Sequence, residues 1–245
     1  MKIRLFLDQA IDIGQHMGLD KKQSHYLRNV LRAKDGDVIF LFNNQDGEFE
    51  TIAKLNGKNI SLVVMRKTHD YYEAPNICLA FAPVKNVKTE YIVTKATELG
   101  VREIRPVMTE RTIIKKVNLE RLKANIIEAA EQCERTDLAE VKDIVSLKSF
   151  LKELGNENLI LADESGDGKP PALLFKDLDK AKKSVILIGP EGGFSTAERE
   201  LIKSYSNTHS LILGPRILRA DTAIISSLML MQNYLGDIEH KPSLV

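Results

Sequence analysis

Two stretches of this chain carry residues whose types and spacing suit ligand chemistry. Val185-Ile186-Leu187-Ile188 runs into Gly189-Pro190-Glu191-Gly192-Gly193-Phe194-Ser195, and Leu211-Ile212-Leu213 runs into Gly214-Pro215-Arg216-Ile217-Leu218-Arg219-Ala220-Asp221-Thr222-Ala223. Each places Gly-Pro directly after an apolar, strand-like run. Glycine permits backbone angles that other residues resist, and proline ends the ladder, so the chain turns sharply and presents main-chain amides and carbonyls to a ligand. The second loop adds two guanidinium groups, Arg216 and Arg219, beside the carboxylate of Asp221. That trio suits a surface salt-bridge network or the charged rim of a pocket; its place beyond a strand end favours the pocket. In the first loop Ser195 and Glu198 have capping-box spacing, so Gly192-Gly193 also reads as a turn into a helix, a reading compatible with a ligand on the same loop.

Spacing disfavours the familiar alternatives. Neither loop is GxGxxG, which sets a helix N-terminus against a pyrophosphate, or GxxxxGK[ST], whose Lys and hydroxyl handle phosphate and magnesium. The Gly-x-Ser-x-Gly elbow of hydrolases is absent, and the five His residues form no catalytic pattern. Cys78 and Cys133 lie far apart, with no CxxC pair and no Cys/His cluster at ligand spacing, so neither a disulfide nor a metal site is expected.

The elements that position these loops follow from periodicity. From Ile77 onward strands alternate with helices: a strand over Ile77–Ala82, a helix over Thr89–Leu99 stopped by Gly100, a strand over Val101–Met108, and a helix from an Asn118 cap to about Arg135. The runs Leu159–Leu161, Val185–Ile188 and Leu211–Leu213 are short and wholly apolar, as parallel strands covered on both faces are. This is an α/β pattern with a parallel sheet, whose ligands sit beyond the carboxyl ends of the strands.

The first 65 or so residues read differently. Leu5 and Leu7, Val38–Phe42, the alternation of Phe49, Thr51, Ala53 and Leu55, and Ile60–Val64 predict short strands joined at Asp35-Gly36, Asp46-Gly47 and Asn56-Gly57, a pattern of a small β-barrel. One helix interrupts them, capped by Asp20 with Gln23 reaching back, with Leu27, Val30 and Leu31 as its buried stripe. Residues 66–76 lack apolar periodicity and mark a boundary between two domains.

The chain has 245 residues, 35 Lys and Arg against 34 Asp and Glu, net charge +1. That balance excludes indiscriminate polyanion binding and leaves room for local patches. Residues 21–34 hold five Lys or Arg and no acid, and residues 76–135 are net +3 whereas 136–183 are net −2. The basic helix face is either a solvated surface or a phosphate-contacting one. The run Arg102, Arg105, Arg111, Lys115, Lys116, Arg121 and Lys123 is a second candidate for phosphate contacts. Met1–Leu7 is too short for a signal-peptide core, and no run approaches a membrane span, so a cytoplasmic protein without membrane partner is expected.

Ile-Gly-Pro-Glu-Gly-Gly-Phe-Ser followed by Leu-Gly-Pro-Arg-Ile-Leu-Arg-Ala-Asp-Thr-Ala resembles the RsmE family of ribosomal RNA methyltransferases. Lys95–Val101, Glu128–Arg135, and Val30-Leu31-Arg32 with Gly36-Asp37 agree, so the match covers nearly the whole chain. The resemblance implies a PUA-like RNA-binding β-barrel over 1–70 and a SPOUT-type α/β methyltransferase domain over 71–245 whose C-terminal segment threads a deep trefoil knot. It implies methylation of N3 of a uridine in small-subunit (16S) ribosomal RNA from S-adenosylmethionine, on assembled 30S subunits, by a homodimer. Leu161, Gly189, Pro190, Gly192, Gly193, Leu213, Gly214, Pro215 and Leu218 fall at the positions around the cofactor. Lys21, Arg28, Arg32, Arg111, Lys115 and Lys116 are the expected RNA contacts. Arg219 is expected to stabilise the anion on the base, and Asp221 to accept its proton or orient Arg219. The family usually has Glu where Asp221 stands, a carboxylate one methylene longer. Thr222–Leu235, apolar on more than one face, fits a helix covered by its own domain and by a partner copy. The competing readings are a SPOUT methyltransferase on another RNA and a non-catalytic ribosome-assembly protein.

Overall fold

The computed structural model describes residues 2–57 and 59–240. They form two units: one holds the residues up to Glu73 with Ala130–Leu138, the other Ala74–Ala129 and the residues from Ala139 onward.

In the first unit five strands, β1 (Arg4–Phe6), β2 (His16–Gly18), β3 (Val38–Asn43), β4 (Gly47–Asn56) and β5 (Asn59–His69), order as β1-β3-β4-β5-β2. Their inward residues, among them Leu5, Ile39, Leu41, Ala53, Leu62 and Val64, make one core. The expected turns at Gly36, Gly47 and Gly57 all have positive φ. Contrary to the break expected at 66, β5 runs on to His69, because Arg66 lies opposite Glu50 on β4 and pairs with it at 2.5 Å. A polar cross-strand pair holds a strand together without any apolar alternation.

The helix α1 (Lys21–His25) begins as expected: Asp20 Oδ1 accepts from the Gln23 amide at 2.7 Å, and Gln23 Oε1 accepts from the Asp20 amide at 3.3 Å. It then widens into a π-helical turn over Tyr26–Val30, closed by the Leu31 amide donating to the Tyr26 carbonyl at 3.0 Å, before Arg32 leaves at φ 55. The extra residue per turn rotates the apolar stripe. Leu27 stays fully buried, Leu31 is half-buried, and Val30, expected inside, is 59% exposed.

The unit also encloses a charged cluster. Glu48, 1% exposed, accepts from Arg4 Nε at 2.6 Å and Thr68 Oγ1 at 2.8 Å and pairs with Lys2 at 2.9 Å; Arg4 further donates to the carbonyls of Ala130 and Arg135. The Glu128–Arg135 segment therefore supplies backbone acceptors for a buried arginine.

The second unit is a parallel sheet. Its strands β6 (Ile77–Phe81), β7 (Glu103–Met108), β8 (Glu140–Val141), β9 (Val145–Ser146), β10 (Asn158–Ala162), β11 (Ser184–Ile188) and β12 (Thr208–Leu211) order as β12-β10-β11-β6-β7-β8, with β9 also paired to β7. Helices α2 (Thr89–Glu98), α3 (Leu119–Cys133), α4 (Leu147–Glu153), α5 (Pro171–Lys176), α6 (Thr196–Lys203) and α7 (Ala220–Leu235) connect and follow them. β6, β10 and β11 are almost wholly buried, as their unbroken apolar runs require. The Lys95–Val101 motif is a helix stop: the Val101 amide donates to the Ala96 carbonyl and the Gly100 amide to that of Thr97, both at 3.0 Å, with Gly100 left-handed. No helix among the described residues is long and apolar enough to cross a membrane.

Candidate active site

A cavity of about 640 Å³ lies at the carboxyl ends of four strands of the second unit. Residues after β6 (Asn86, Val87), β10 (Asp163, Glu164), β11 (Gly189, Pro190, Gly193, Phe194) and β12 (Ile212 to Ala220) line it. This is where an open parallel sheet places ligands, because each strand end frees backbone groups and the loops diverge around a crevice.

The loop after β11 is braced from three sides. The Gly193 amide donates to the Pro190 carbonyl at 2.8 Å, closing a turn, and Arg111 donates to the Gly192 carbonyl. Asn86 Nδ2 reaches Glu191 at 3.1 Å. The Ser195–Glu198 capping box is present, and the other oxygen of Glu198 accepts from the Glu110 amide at 2.7 Å. The loop is thus both a helix cap and a cavity wall.

The loop after β12 is freer. The strand ends at Leu211, two residues short of the expected Leu213, because after Leu211 the ladder passes to Lys169, whose carbonyl takes the Ile212 amide at 3.1 Å. Leu213, Gly214, Pro215, Arg216, Leu218 and Arg219 then line the cavity. The Arg216 and Arg219 side chains are exposed and make no hydrogen bond or ion pair among the described residues, while the Arg219 carbonyl accepts from the Ala223 amide at 2.8 Å.

Three expected site residues do not line the cavity. Leu161 is 0% exposed and packs into the core with Leu159, Val185 and Leu187; strand alternation turns it away, and the next residue, Ala162, forms the wall. Gly192 points its carbonyl at Arg111, leaving Gly193 on the cavity side. Asp221 lies between the lining residues Ala220 and Ala223 without itself lining the cavity, in the first turn of α7, where its Oδ1 accepts from the Thr222 amide at 2.9 Å; it makes no ion pair with Arg219. It therefore does not orient Arg219 by direct contact.

Asp163, Glu164 and Arg199 were not anticipated. Arg199, from α6, donates to Asp163 Oδ1 at 2.7 Å and to Glu164 Oε1 at 2.8 Å. Burial opposes ionisation of Asp163, but the Ser165 amide and hydroxyl and the Arg199 guanidinium outweigh it and hold the carboxyl below its usual range. An acid two residues past the Leu159–Leu161 run was a readable signal; the arginine inside a helix was not.

The RNA methyltransferase domain family model matches residues 72–232, and the RNA methyltransferase PUA domain model matches 19–65. The chain is 36% identical over 208 residues to the ribosomal RNA small subunit methyltransferase E of Rickettsia conorii, covering 83% of this chain and 84% of that one. The chain belongs to the ribosomal RNA small subunit methyltransferase E family. Among solved structures, a family relative from Neisseria gonorrhoeae bound to S-adenosyl methionine matches at TM-score 0.85 and 26% identity, covering 97% of this chain and all of that one. A Legionella pneumophila protein in complex with the bound cofactor SAM matches at TM-score 0.85 and 31% identity over the same shares.

In this methyltransferase E family chain the basic residues separate into those without an ion pair and those engaged with their own chain. Lys21, Arg32, Lys115 and Lys116 are exposed and make no ion pair among the described residues. Arg28 is half-buried and donates to the Gly57 carbonyl, and Arg111 braces the β11 loop. Arg105, expected in the phosphate-facing run, is 8% exposed: it sits inside β7, pairs with Glu153 and Glu103 and covers the Phe150 ring. Arg121 pairs with Glu90 at 2.8 Å, Lys123 with Glu120 at 3.2 Å, and Arg102 donates to the Ala74 carbonyl at 2.9 Å.

Proposed function

We propose that this chain transfers a methyl group from S-adenosylmethionine to N3 of a uridine in small-subunit ribosomal RNA. The observation that carries the reading is the cavity framed by two Gly-Pro loops at the ends of β11 and β12, the strands on either side of β10, with the Arg216 and Arg219 side chains unpaired at its edge. Its volume suits a small-molecule ligand. Main-chain groups of Gly189, Pro190, Gly193, Leu213, Gly214 and Pro215 fit the edges of an adenine, and Leu218 its face. The C-terminal segment is proposed to thread a trefoil knot, as in SPOUT enzymes, and the first unit to be the PUA-like RNA-binding barrel, approximately residues 1–70.

S-adenosylmethionine supplies an electrophilic methyl group on a positively charged sulfur. Uridine N3 is a weak acid, and its lone pair becomes available only as the proton leaves, so negative charge develops on the base with deprotonation and is discharged as the N–C bond forms and the C–S bond breaks. Arg219, exposed at the cavity wall with no internal partner, is the group proposed to stabilise that charge. Asp221, two residues away, is proposed as the proton acceptor. Tritiated S-adenosylmethionine and small subunits from cells lacking the gene supply the assay, with mass spectrometry identifying the base. Production of 3-methyluridine supports the reading; no transfer, or methylation at another atom, overturns it. Arg219→Ala is expected to slow single-turnover transfer by about a hundredfold or more while leaving cofactor affinity near wild type, and Asp221→Asn tests the acceptor in the same assay.

The working form is proposed to be a homodimer acting on assembled 30S subunits in the cytoplasm. The dimer reading rests on α7, where Ala223, Ile224, Ser227, Leu228 and Met231 are buried in their own unit while Met229 is 45% exposed and Ile225 and Leu230 are half-buried.

A further inference from the structure

The Asp163 carboxylate, fully buried at the cavity wall, has one satisfied and one unsatisfied oxygen. Oδ1 takes the Ser165 amide at 2.9 Å and Arg199 Nη1 at 2.7 Å. Oδ2 has no donor among the described residues. A buried carboxylate oxygen without a partner carries a desolvation penalty that proteins seldom leave standing, and Asp163 is one of the residues lining the cavity. An ionised carboxylate only accepts, so the missing partner is a donor.

We infer that Asp163 Oδ2 accepts a hydrogen bond from a ribose hydroxyl of the bound cofactor, making Asp163 a cofactor-positioning residue; this rests on the S-adenosylmethionine reading above. The cofactor offers the adenine amino group, the two ribose hydroxyls and the ammonium of its amino-acid end. Charge decides between the ends. Asp163 and Glu164 form an acidic wall that repels the cofactor's own carboxylate, and the unpaired Arg216 on the loop after β12 attracts it, which draws the amino-acid end away from Asp163. The adenine edge is matched by the main chain of the Gly-Pro loops. The ribose remains, and a carboxylate just past the end of a parallel strand is a recurrent acceptor for a ribose hydroxyl. Arg199 and Ser165 hold Oδ1, which fixes the carboxyl plane and keeps the group charged before the ligand arrives.

The test is calorimetry on the full-length protein with S-adenosylhomocysteine and its 2′-deoxy and 3′-deoxy analogues. Losing a hydrogen bond to a charged acceptor is worth about tenfold or more in affinity, so at least one deoxy analogue is expected to bind wild type at least tenfold more weakly than the parent. In Asp163→Ala, or Asp163→Asn should the alanine variant not fold, the parent weakens and the gap between parent and that analogue shrinks to about threefold or less. A purely structural role would weaken all three ligands alike and leave the gap intact. Equal binding of all three to wild type overturns the inference while leaving the cofactor reading in place, as does a gap that persists in the variant. No binding of the parent overturns the cofactor reading and this inference with it.

Discussion

Gly193 shows how much one position decides. Its φ of 66 belongs to the left-handed region, and a Cβ there would run into Glu164 Oε1, the oxygen that pairs with Arg199. Gly193→Ala is expected to destabilise the protein by about 1 kcal/mol or more, and to weaken cofactor binding because Glu164 must move; a thermal melt with and without S-adenosylhomocysteine separates the two effects. Glu48 governs acid stability in the first unit. Burial opposes its ionisation, but Lys2, Thr68 and Arg4 outweigh that and bring its carboxyl from 4.5 down to about 2. A folded value below the unfolded one means that the stabilisation is fully present above about pH 4.5 and is lost as pH falls toward 2. Glu48→Gln should flatten that limb of the stability–pH profile in denaturant titrations. It should also cost several kcal/mol at pH 7, about 3 to 5, by leaving Arg4 buried without its counter-ion. At this scale the sequence marked the glycines and the loop arginines, since Gly-Pro after an apolar run is visible in one dimension. Asp163 and Glu48 gain their roles from partners 36 and 44 residues away, which no local pattern carries.

β6, β10 and β11 were legible because burial on both faces forces unbroken apolar runs, whereas β12, Thr-His-Ser-Leu at the edge of the sheet, shares only Leu211 with the run expected as a strand. The short strands β2, β8 and β9 have two or three residues each and no period to read. The π-helical turn after α1 escaped for a related reason: a stripe of Leu27, Val30 and Leu31 assumes 3.6 residues per turn, and the wider turn sends Val30 outward. On α7 the apolar residues read as covering more than one face divide by burial into an inner set and an outer one. Met229→Asp should leave the circular dichroism spectrum unchanged and shift sedimentation at micromolar concentration from dimer to monomer; a wild-type monomer would refute the dimer proposal outright.

Across the whole molecule the net charge of +1 averages unlike regions, and burial sharpens that average further. Arg4 and Arg105 are inside, and Arg28, Arg102, Arg111 and Arg121 are engaged with their own chain, so the cations free for phosphate are fewer than a count suggests. Lys21→Ala with Arg32→Ala should lower the slope of log affinity for small subunits against log salt by roughly 1.5, close to one released counterion per lost contact, and leave S-adenosylhomocysteine affinity unchanged. An unchanged slope would remove this face from the RNA interface. The sheet that carries the cavity has a consequence in time as well. β6 pairs with β11, residue 77 lying opposite 184, so about a hundred residues separate two strands that finish each other. At roughly 5 to 20 residues per second, a nascent chain holds Ile77–Phe81 with one edge unpaired for on the order of ten seconds before its partner emerges. An apolar strand left waiting that long is a natural client for ribosome-associated chaperones, and the cavity it helps to carry can close only once the loop after β12 has emerged as well.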